Sequence, residues 1–140
     1  ICPEFAAEFL NGRALPDNLW IGTSVQNQEA ANERIPHLLK IRAKVRFLSM
    51  EPLLGPVDFR KVPGFNRVDP EGRALIRSFW VIVGGESGPH ARPMRPDWVR
   101  LTRYQCEIAG VPFFFKQWGG IDKKEAGNHL DGRQHLEFPT

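Results

Sequence analysis

Apolar residues cluster in four short runs along the chain, and each run is bounded by polar residues, glycine or proline. Runs of four to eight apolar, β-branched or aromatic residues between such boundaries are typical of buried strands. We therefore predict four strands, at residues 19–25, 44–50, 79–84 and 112–115.

Two of the intervening segments show helical spacing of their apolar residues. The first of these segments is residues 28–41. Pro36 lies within it and lacks the N–H that a helix interior needs, which predicts a kink or two short helices meeting there. The second is predicted to begin at Pro96, which suits the first helical position, and to end at Gly110 as its cap. Residues 3–10 resemble the tail of a further helix, and because the chain begins with Ile1 we infer that preceding sequence has been removed.

The remaining segments are rich in turn-forming or polar residues. Residues 53–78 contain several prolines and glycines, which predicts a long loop with one short helix around residues 74–78. The tail, residues 120–140, is polar. Asp131-Gly132 suits a two-residue hairpin turn, so we predict a small hairpin within residues 128–138.

The order of these elements predicts the fold class. Strands this apolar, alternating with helices, favour an α/β fold with a parallel sheet covered on both faces. With 140 residues, 41% of them hydrophobic, the chain can bury one core of ordinary size. Residues 1–119 are predicted to form this unit, and residues 120–140 a polar tail with a possible β-hairpin.

Composition excludes several classes of protein. No stretch suits a signal peptide or a membrane span, so we expect a cytoplasmic protein without membrane contact. The net charge of +3 is compatible with nucleic acid but indicates it only weakly. Cys2 and Cys106 belong to no CxxC pair, which argues against a disulfide framework and a metal site, and Cys106 is interpreted as a small buried helix residue. The common nucleotide, metalloprotease and hydrolase motifs are missing from the sequence.

Candidate site residues follow the strands. In parallel α/β folds, ligands bind at the carboxyl ends of the strands, and each predicted strand changes from apolar to polar at that end. We expect Glu51, Glu86 and Lys116 to converge on one cleft. The full set of candidates for binding substrate or cofactor is Ser24, Gln26, Glu51, Gly84, Gly85, Glu86, Ser87, Lys116 and Gln117.

Structural roles are an alternative for several of these residues. Ser24 can cap the following helix, and Lys116 can reach solvent from an apolar strand. Glu51 can be a solvated carboxylate.

Residues 84–88 carry the most information. Gly84 and Gly85 permit positive φ and close approach of a ligand, exposed N–H groups in this turn can bind an anion, and Glu86 can accept a hydrogen bond from an ammonium or hydroxyl group. The alternative is a tight turn without a ligand. The following loop carries His90, Arg92 and Arg95 between prolines, which are candidates for binding phosphate or carboxylate unless the loop is simply basic and exposed.

Four blocks of sequence carry a resemblance to a known family. NLWIGTSVQNQ, VRFLSMEPLLGPV, FWVIVGGESGPHARPM and the WVR…QC…AGVPFFFKQWG run, with the closing LDGRQHLEFP, resemble phage and prophage proteins of unassigned function that look like relatives of the radical S-adenosylmethionine (SAM) enzymes. The resemblance implies a partial parallel (β/α) barrel, TIM-like, whose last four βα units form residues 1–119. A small C-terminal hairpin follows them.

The same resemblance implies cofactors. An upstream three-cysteine motif would ligate a [4Fe–4S] cluster beside SAM, but these 140 residues lack it, so the chain alone is not expected to hold a cluster or to be active. The triplet Gly84-Gly85-Glu86 is similar to the one that holds the methionine amino group of SAM, although it follows a late strand.

These observations lead to three functional hypotheses. The first is the C-terminal part of a radical-SAM-like phage enzyme that contributes SAM or substrate contacts. Its partner would be the missing N-terminal part of the same chain. Its substrate would be a small molecule or nucleic acid. The second is a nucleic-acid-binding protein that uses Arg92, Arg95, Lys116, Arg60, Lys61, Arg67 and Arg73. The third is a non-catalytic barrel that serves a structural or partner-binding role.

Overall fold

All four predicted strands form, and they lie side by side in one parallel sheet. The structure is a computed structural model that describes residues 3–66, 75–122 and 126–140. The sheet follows chain order: β1 (Ile21–Ser24), β2 (Arg46–Met50), β3 (Phe79–Gly84) and β4 (Phe113–Gln117). The prediction of a parallel α/β sheet is confirmed.

Within the described residues, three α-helices accompany the sheet: α1 (Pro3–Leu10), α2 (Gln28–Leu38) and α3 (Pro96–Ala109). Asn27 caps α2, since its side-chain oxygen accepts a hydrogen bond from the N–H of Ala30 at 2.9 Å. The alternative of two short helices meeting at Pro36 is wrong, because α2 runs through Pro36 as one helix and ends two residues later, where few helical hydrogen bonds remain to be lost. Gly110 caps α3 in the left-handed conformation, at φ 65°, as predicted.

Short 3₁₀ helices interrupt the long connection between β2 and β3. They span Phe59–Lys61 and Leu75–Ser78, and the second matches the short helix predicted there. Across the described parts of the chain, no helix is both long and apolar enough to cross a lipid bilayer.

The sheet has one buried face and one that is partly open. Leu48, Val81 and Phe113 lie side by side on neighbouring strands, are buried, and join one core with residues of all three helices. The alternate residues, such as Phe47 and Trp80, are only half-buried. We call the surface they form the open face.

The open face corrects the expectation that both faces are covered. Right-handed connections between parallel strands in sequential order place every crossover on the same side of the sheet. Because the order is β1-β2-β3-β4, the helices pack on one face and leave the other to side chains of the sheet and the tail. Trp20 and Trp80 therefore lie outside the core, whereas Trp98 and Trp118 pack against it.

The tail forms the predicted hairpin and then continues along the sheet. The hairpin consists of β5 (His129–Leu130) and β6 (Arg133–Gln134), with positive φ at both turn residues. Residues 135–137 then pair antiparallel with the outer edge of β4, where the N–H of Phe115 donates to the carbonyl of His135 at 2.8 Å. Leu130 is fully buried in the same core as the sheet.

Candidate functional site at the carboxyl ends of the strands

Glu51 extends across β3 to reach Lys116 on β4. Its Oε2 lies 2.9 Å from Nζ of Lys116. Glu51 directly follows β2, and β3 lies between β2 and β4, so the side chains must span about 10 Å between backbones. Gly84 lies in between, and a Cβ at that position would stand 3.1 Å from Cδ of Glu51. The glycine therefore leaves room for the carboxylate to cross the middle strand.

A β-bulge brings Gln117 to the same carboxylate. Val83 pairs with Phe115 but Gly84 pairs with Gln117, so two residues of β4 stand opposite one residue of β3. As a result Gln117 Nε2 lies 3.3 Å from Oε1 of Glu51 and donates to the hydroxyl of Ser87 at 2.9 Å. Bulges often re-aim side chains beside active sites. We call Glu51, Ser87, Lys116 and Gln117 the Glu51 cluster.

The Glu51 cluster is open to solvent and chemically mixed. The Lys116 side chain is 51% exposed and that of Glu51 25%, so the ion pair is expected to stabilise the fold by only about 0–1 kcal/mol. The ammonium carries three N–H groups, the carboxylate only accepts, and amide and hydroxyl groups do both. Such a set can bind a polar ligand group that both donates and accepts hydrogen bonds.

The Glu86 carboxylate forms its own ion pair, with Arg92. The guanidinium donates from Nε and from its terminal nitrogen to the two carboxylate oxygens, each at 2.8 Å, and the backbone N–H of Arg92 donates at 2.9 Å. These hydrogen bonds, chiefly those from the side chain, lower the pKa of Glu86 to about 2. Glu86 and Glu51, which we expected to share one cleft with Lys116, thus form two ion pairs, Glu86 with Arg92 and Glu51 with Lys116.

The glycines after β3 serve loop packing. A Cβ on Gly85 would lie 1.8 Å from the carbonyl oxygen of Trp118, in the loop after β4. The N–H groups of Gly85 and Gly88 donate to the carbonyls of Gln117 and Gly120, at 2.9 and 3.0 Å. Those two N–H groups are thus already bonded within the protein, as in the alternative of a tight turn. Positive φ occurs at Gly88, at 121°, and not at Gly84 or Gly85, the two glycines for which we expected it.

The basic candidates in the loop after β3 are His90, Arg92 and Arg95. His90 is exposed, and Arg95 lies 4.0 Å from Asp97 at the start of α3. Among the described residues, Arg92 is the member of this trio that contacts another candidate, Glu86.

Ser24 and Gln26 belong to a second polar region, at the edge of β1. Ser24 is exposed and does not cap α2, since Asn27 does. The guanidinium of Arg34 donates to the backbone carbonyl of Ser24 at 3.0 Å and lies 3.5 Å from the side-chain oxygen of Gln26. A cavity of about 670 Å³ opens here, lined by Gly22, Thr23, Ser24, Glu33, Arg34, Phe47 and Ser49.

Arg34 is a site residue that the sequence analysis missed. It lies on α2, ten residues beyond Ser24, and no motif marks it. Ser49 joins the two polar regions, because it pairs in register with Ser24 and precedes by two residues Glu51, which directly follows β2. Only the packing of α2 beside β1 reveals this arrangement.

The described residues do not suit an iron–sulfur cluster. They contain no group of three or more His, Cys, Asp or Glu side chains placed to hold a metal ion. Cys106 is buried, and burial raises the pKa of its thiol, which disfavours the thiolate that ligates iron. Cys2 lies outside the described residues. Glu86, in the triplet resembling the SAM-binding one, is already bonded to Arg92.

Comparison with known proteins gives one family match. Residues 3–139 match the model of the family described as "Protein of unknown function (DUF5131)". The matched region includes the sheet, the Glu51 cluster and the tail. No curated protein and no solved structure matches the chain.

Proposed function

The chain belongs to DUF5131, a family of unknown function, and we propose that it forms the substrate-contacting part of a (β/α) barrel enzyme of the radical-SAM-like phage kind that its sequence resembles. The β4 bulge carries this proposal, because it brings Lys116 and Gln117 together on Glu51 at the carboxyl-end edge of the sheet. That edge is where enzymes with parallel βα units bind their substrates.

The form of the sheet supports a partial barrel. Sequential parallel strands with helices on one face are the arrangement of part of a TIM barrel, whose inner face would be the open face. The outer edge of β1 has no neighbouring strand among the described residues. We propose that the remaining strands, from the N-terminal part of the same protein, pair there.

The Glu51 cluster is assigned substrate binding alone. Glu51 accepts hydrogen bonds from the substrate, Lys116 donates, and Gln117 and Ser87 orient the polar group between them. In the radical-SAM-like enzyme, an iron–sulfur cluster with SAM would generate the radical. We therefore assign the cluster ligands to the upstream three-cysteine motif that the resemblance implies, since Glu86 is bonded to Arg92 and no group among the described residues suits a metal ion.

The nucleic-acid alternative gains no specific support from the contacts. Arg60 is paired with Asp58, Arg92 with Glu86, and Lys116 with Glu51. Arg67 and Arg73 lie outside the described residues. Nucleic-acid binding, a purely structural role and a cytoplasmic location all stay predictions.

Mapping of small-molecule binding by NMR tests the proposal. Amino acids, nucleosides and sugar phosphates are titrated into the ¹⁵N-labelled chain, and we expect at least one of these classes to shift amide signals at residues 49–51, 84–87 and 116–117. Glu51→Gln and Lys116→Met should remove these shifts while changing the free energy of unfolding by less than about 1 kcal/mol.

Glu107→Gln is the matched control. Glu107 is an exposed carboxylate on α3, paired with Arg103 at 3.5 Å, so the variant loses a comparable ion pair outside the Glu51 cluster. Its binding should equal that of the wild type. Shifts confined to other surfaces, or binding that survives in both Glu51→Gln and Lys116→Met, would disprove the substrate assignment.

A further inference from the structure

An apolar surface adjoins the Glu51 cluster on the open face. Trp80 and Ile82 alternate along β3 with the buried residues Val81 and Val83, and Ile82 pairs in register with Phe114 of β4. Trp80, Ile82 and Phe114 are each half-buried. Successive residues on one face of a strand lie about 7 Å apart. Ile82 and Phe114 therefore lie about 7 Å along their strands from the edge that carries the Glu51 cluster.

Four aromatic rings form a continuous strip on this surface: Trp20, Trp80, Phe114 and Phe138. Trp80 meets Trp20 and Phe114 edge to face, with ring centroids 5.9 Å apart in both pairs. Phe138, from the tail, lies against Trp80 with centroids 4.9 Å apart and an angle of 36° between the rings. The four rings therefore form one connected aromatic surface beside the sheet.

Two of the four rings of the strip are exposed, those at its two ends. Trp20 is 40% and Phe138 58% exposed. Contiguous exposed apolar surfaces mark binding sites more often than isolated apolar residues do. The strip is also continuous with the Glu51 cluster, because Phe114 precedes Lys116 by two residues on the open-face side of β4.

From this continuity we propose that the substrate contains a nucleobase-like heterocycle, which lies on the aromatic strip and turns its polar edge to the Glu51 cluster. This inference rests on the proposed function and narrows it to a class of substrate. Stacking on aromatic side chains is the usual way in which proteins bind unpaired bases.

The chemistry of the cluster favours a heterocycle over other ligands. The edge of a nucleobase carries both donors and acceptors, which match the ammonium of Lys116, the carboxylate of Glu51 and the amide of Gln117. A plain hydrocarbon ring would offer these polar groups no further hydrogen bond. A phosphate would face the negative charge of Glu51, which already engages Lys116.

Equilibrium dialysis with adenosine and cytidine tests the inference, with ribose as the probe that lacks a base. We expect both nucleosides to bind and ribose not to. Phe114→Leu and Trp20→Leu should each weaken nucleoside binding by about 5- to 100-fold, the usual effect of losing one stacking contact. Phe5→Leu, which changes a 64% exposed ring on α1, is the control and should bind like the wild type.

The remaining outcomes separate this inference from the proposed function. If ribose or amino acids bind in a manner that depends on Glu51 and nucleosides do not, the heterocycle is wrong and the substrate site stands. A second outcome is that the aromatic variants weaken nucleoside binding while Glu51→Gln and Lys116→Met leave it unchanged. Nucleosides would then bind the aromatic strip alone, and the assignment of substrate binding to the Glu51 cluster would be wrong. If no nucleoside binds and Trp20→Leu instead abolishes self-association of the chain, the aromatic strip is a protein interface and the inference is overturned.

Discussion

Gly84 and Gly85 are adjacent in the chain, yet a side chain at each would meet different neighbours. At Gly84 the nearest atoms belong to the flexible Glu51 side chain, at 3.1 Å and beyond. We expect Gly84→Ala to displace that carboxylate from Lys116 and to weaken ligand binding at the Glu51 cluster at least several-fold. The free energy of unfolding, measured in urea, should change by less than about 1 kcal/mol because a side chain can move aside.

Gly85→Ala is the matched comparison, with the opposite expectation. Its Cβ would stand 1.8 Å from the backbone carbonyl of Trp118, which cannot move without shifting the loop after β4. We expect destabilisation of about 3 kcal/mol, at the upper end of overpacking effects. Equal unfolding free energies for the two variants would contradict the packing described here.

The Glu86–Arg92 pair predicts a specific dependence of stability on pH. The pKa of Glu86 is about 2 in the folded protein, against 4.5 for an ordinary glutamate. A carboxyl with a lowered folded pKa stabilises the protein above its unfolded pKa, so this contribution should be lost as pH falls from about 4.5 to 2. Arg92→Met should flatten the pH dependence of the urea midpoint in that range, and Glu86→Gln should flatten it too. An unchanged slope in both variants would show that the pair does not form in solution.

At the scale of elements, the tail strand protects one edge of the sheet. The N–H of Glu137 donates to the carbonyl of Phe113, while Leu136 stands opposite Phe114 between the two bonded positions. Unpaired sheet edges promote aggregation, and proline removes the donor that pairs an edge.

Proline substitutions at these two positions test the edge. Glu137→Pro should lower the unfolding free energy and raise aggregation, measured by light scattering, more than Leu136→Pro does, because only residue 137 donates its N–H to β4. Glu137→Ala measures the separate loss of the side-chain contact with the N–H of Phe113, at 3.0 Å. If Leu136→Pro is as damaging as Glu137→Pro, the tail pairs with β4 in a different register.

At the scale of the molecule, the tail and the sheet share one core. Leu130 is fully buried, although it lies in a segment that is polar overall. Leu130→Ala should therefore cost about 2–5 kcal/mol in unfolding free energy, as for other core leucines. Unfolding followed by tryptophan fluorescence and by circular dichroism should remain a single coincident transition. An earlier, separate transition of the hairpin would show that residues 120–140 fold independently.

The amino-acid sequence alone determined the elements of this protein, and tertiary structure decided how they meet. The strands, the α3 boundaries and the hairpin turn follow from short-range burial patterns, proline at a helix start and glycine at its end, all of which act within a few residues. Glu51 and Gln117 are 66 residues apart, and their contact depends on a bulge that no local pattern marks. The pairing of Glu86 with Arg92, the open face and the tail strand likewise arise from strand order and loop packing. These are long-range contacts, in which many arrangements of the same elements satisfy the same local preferences.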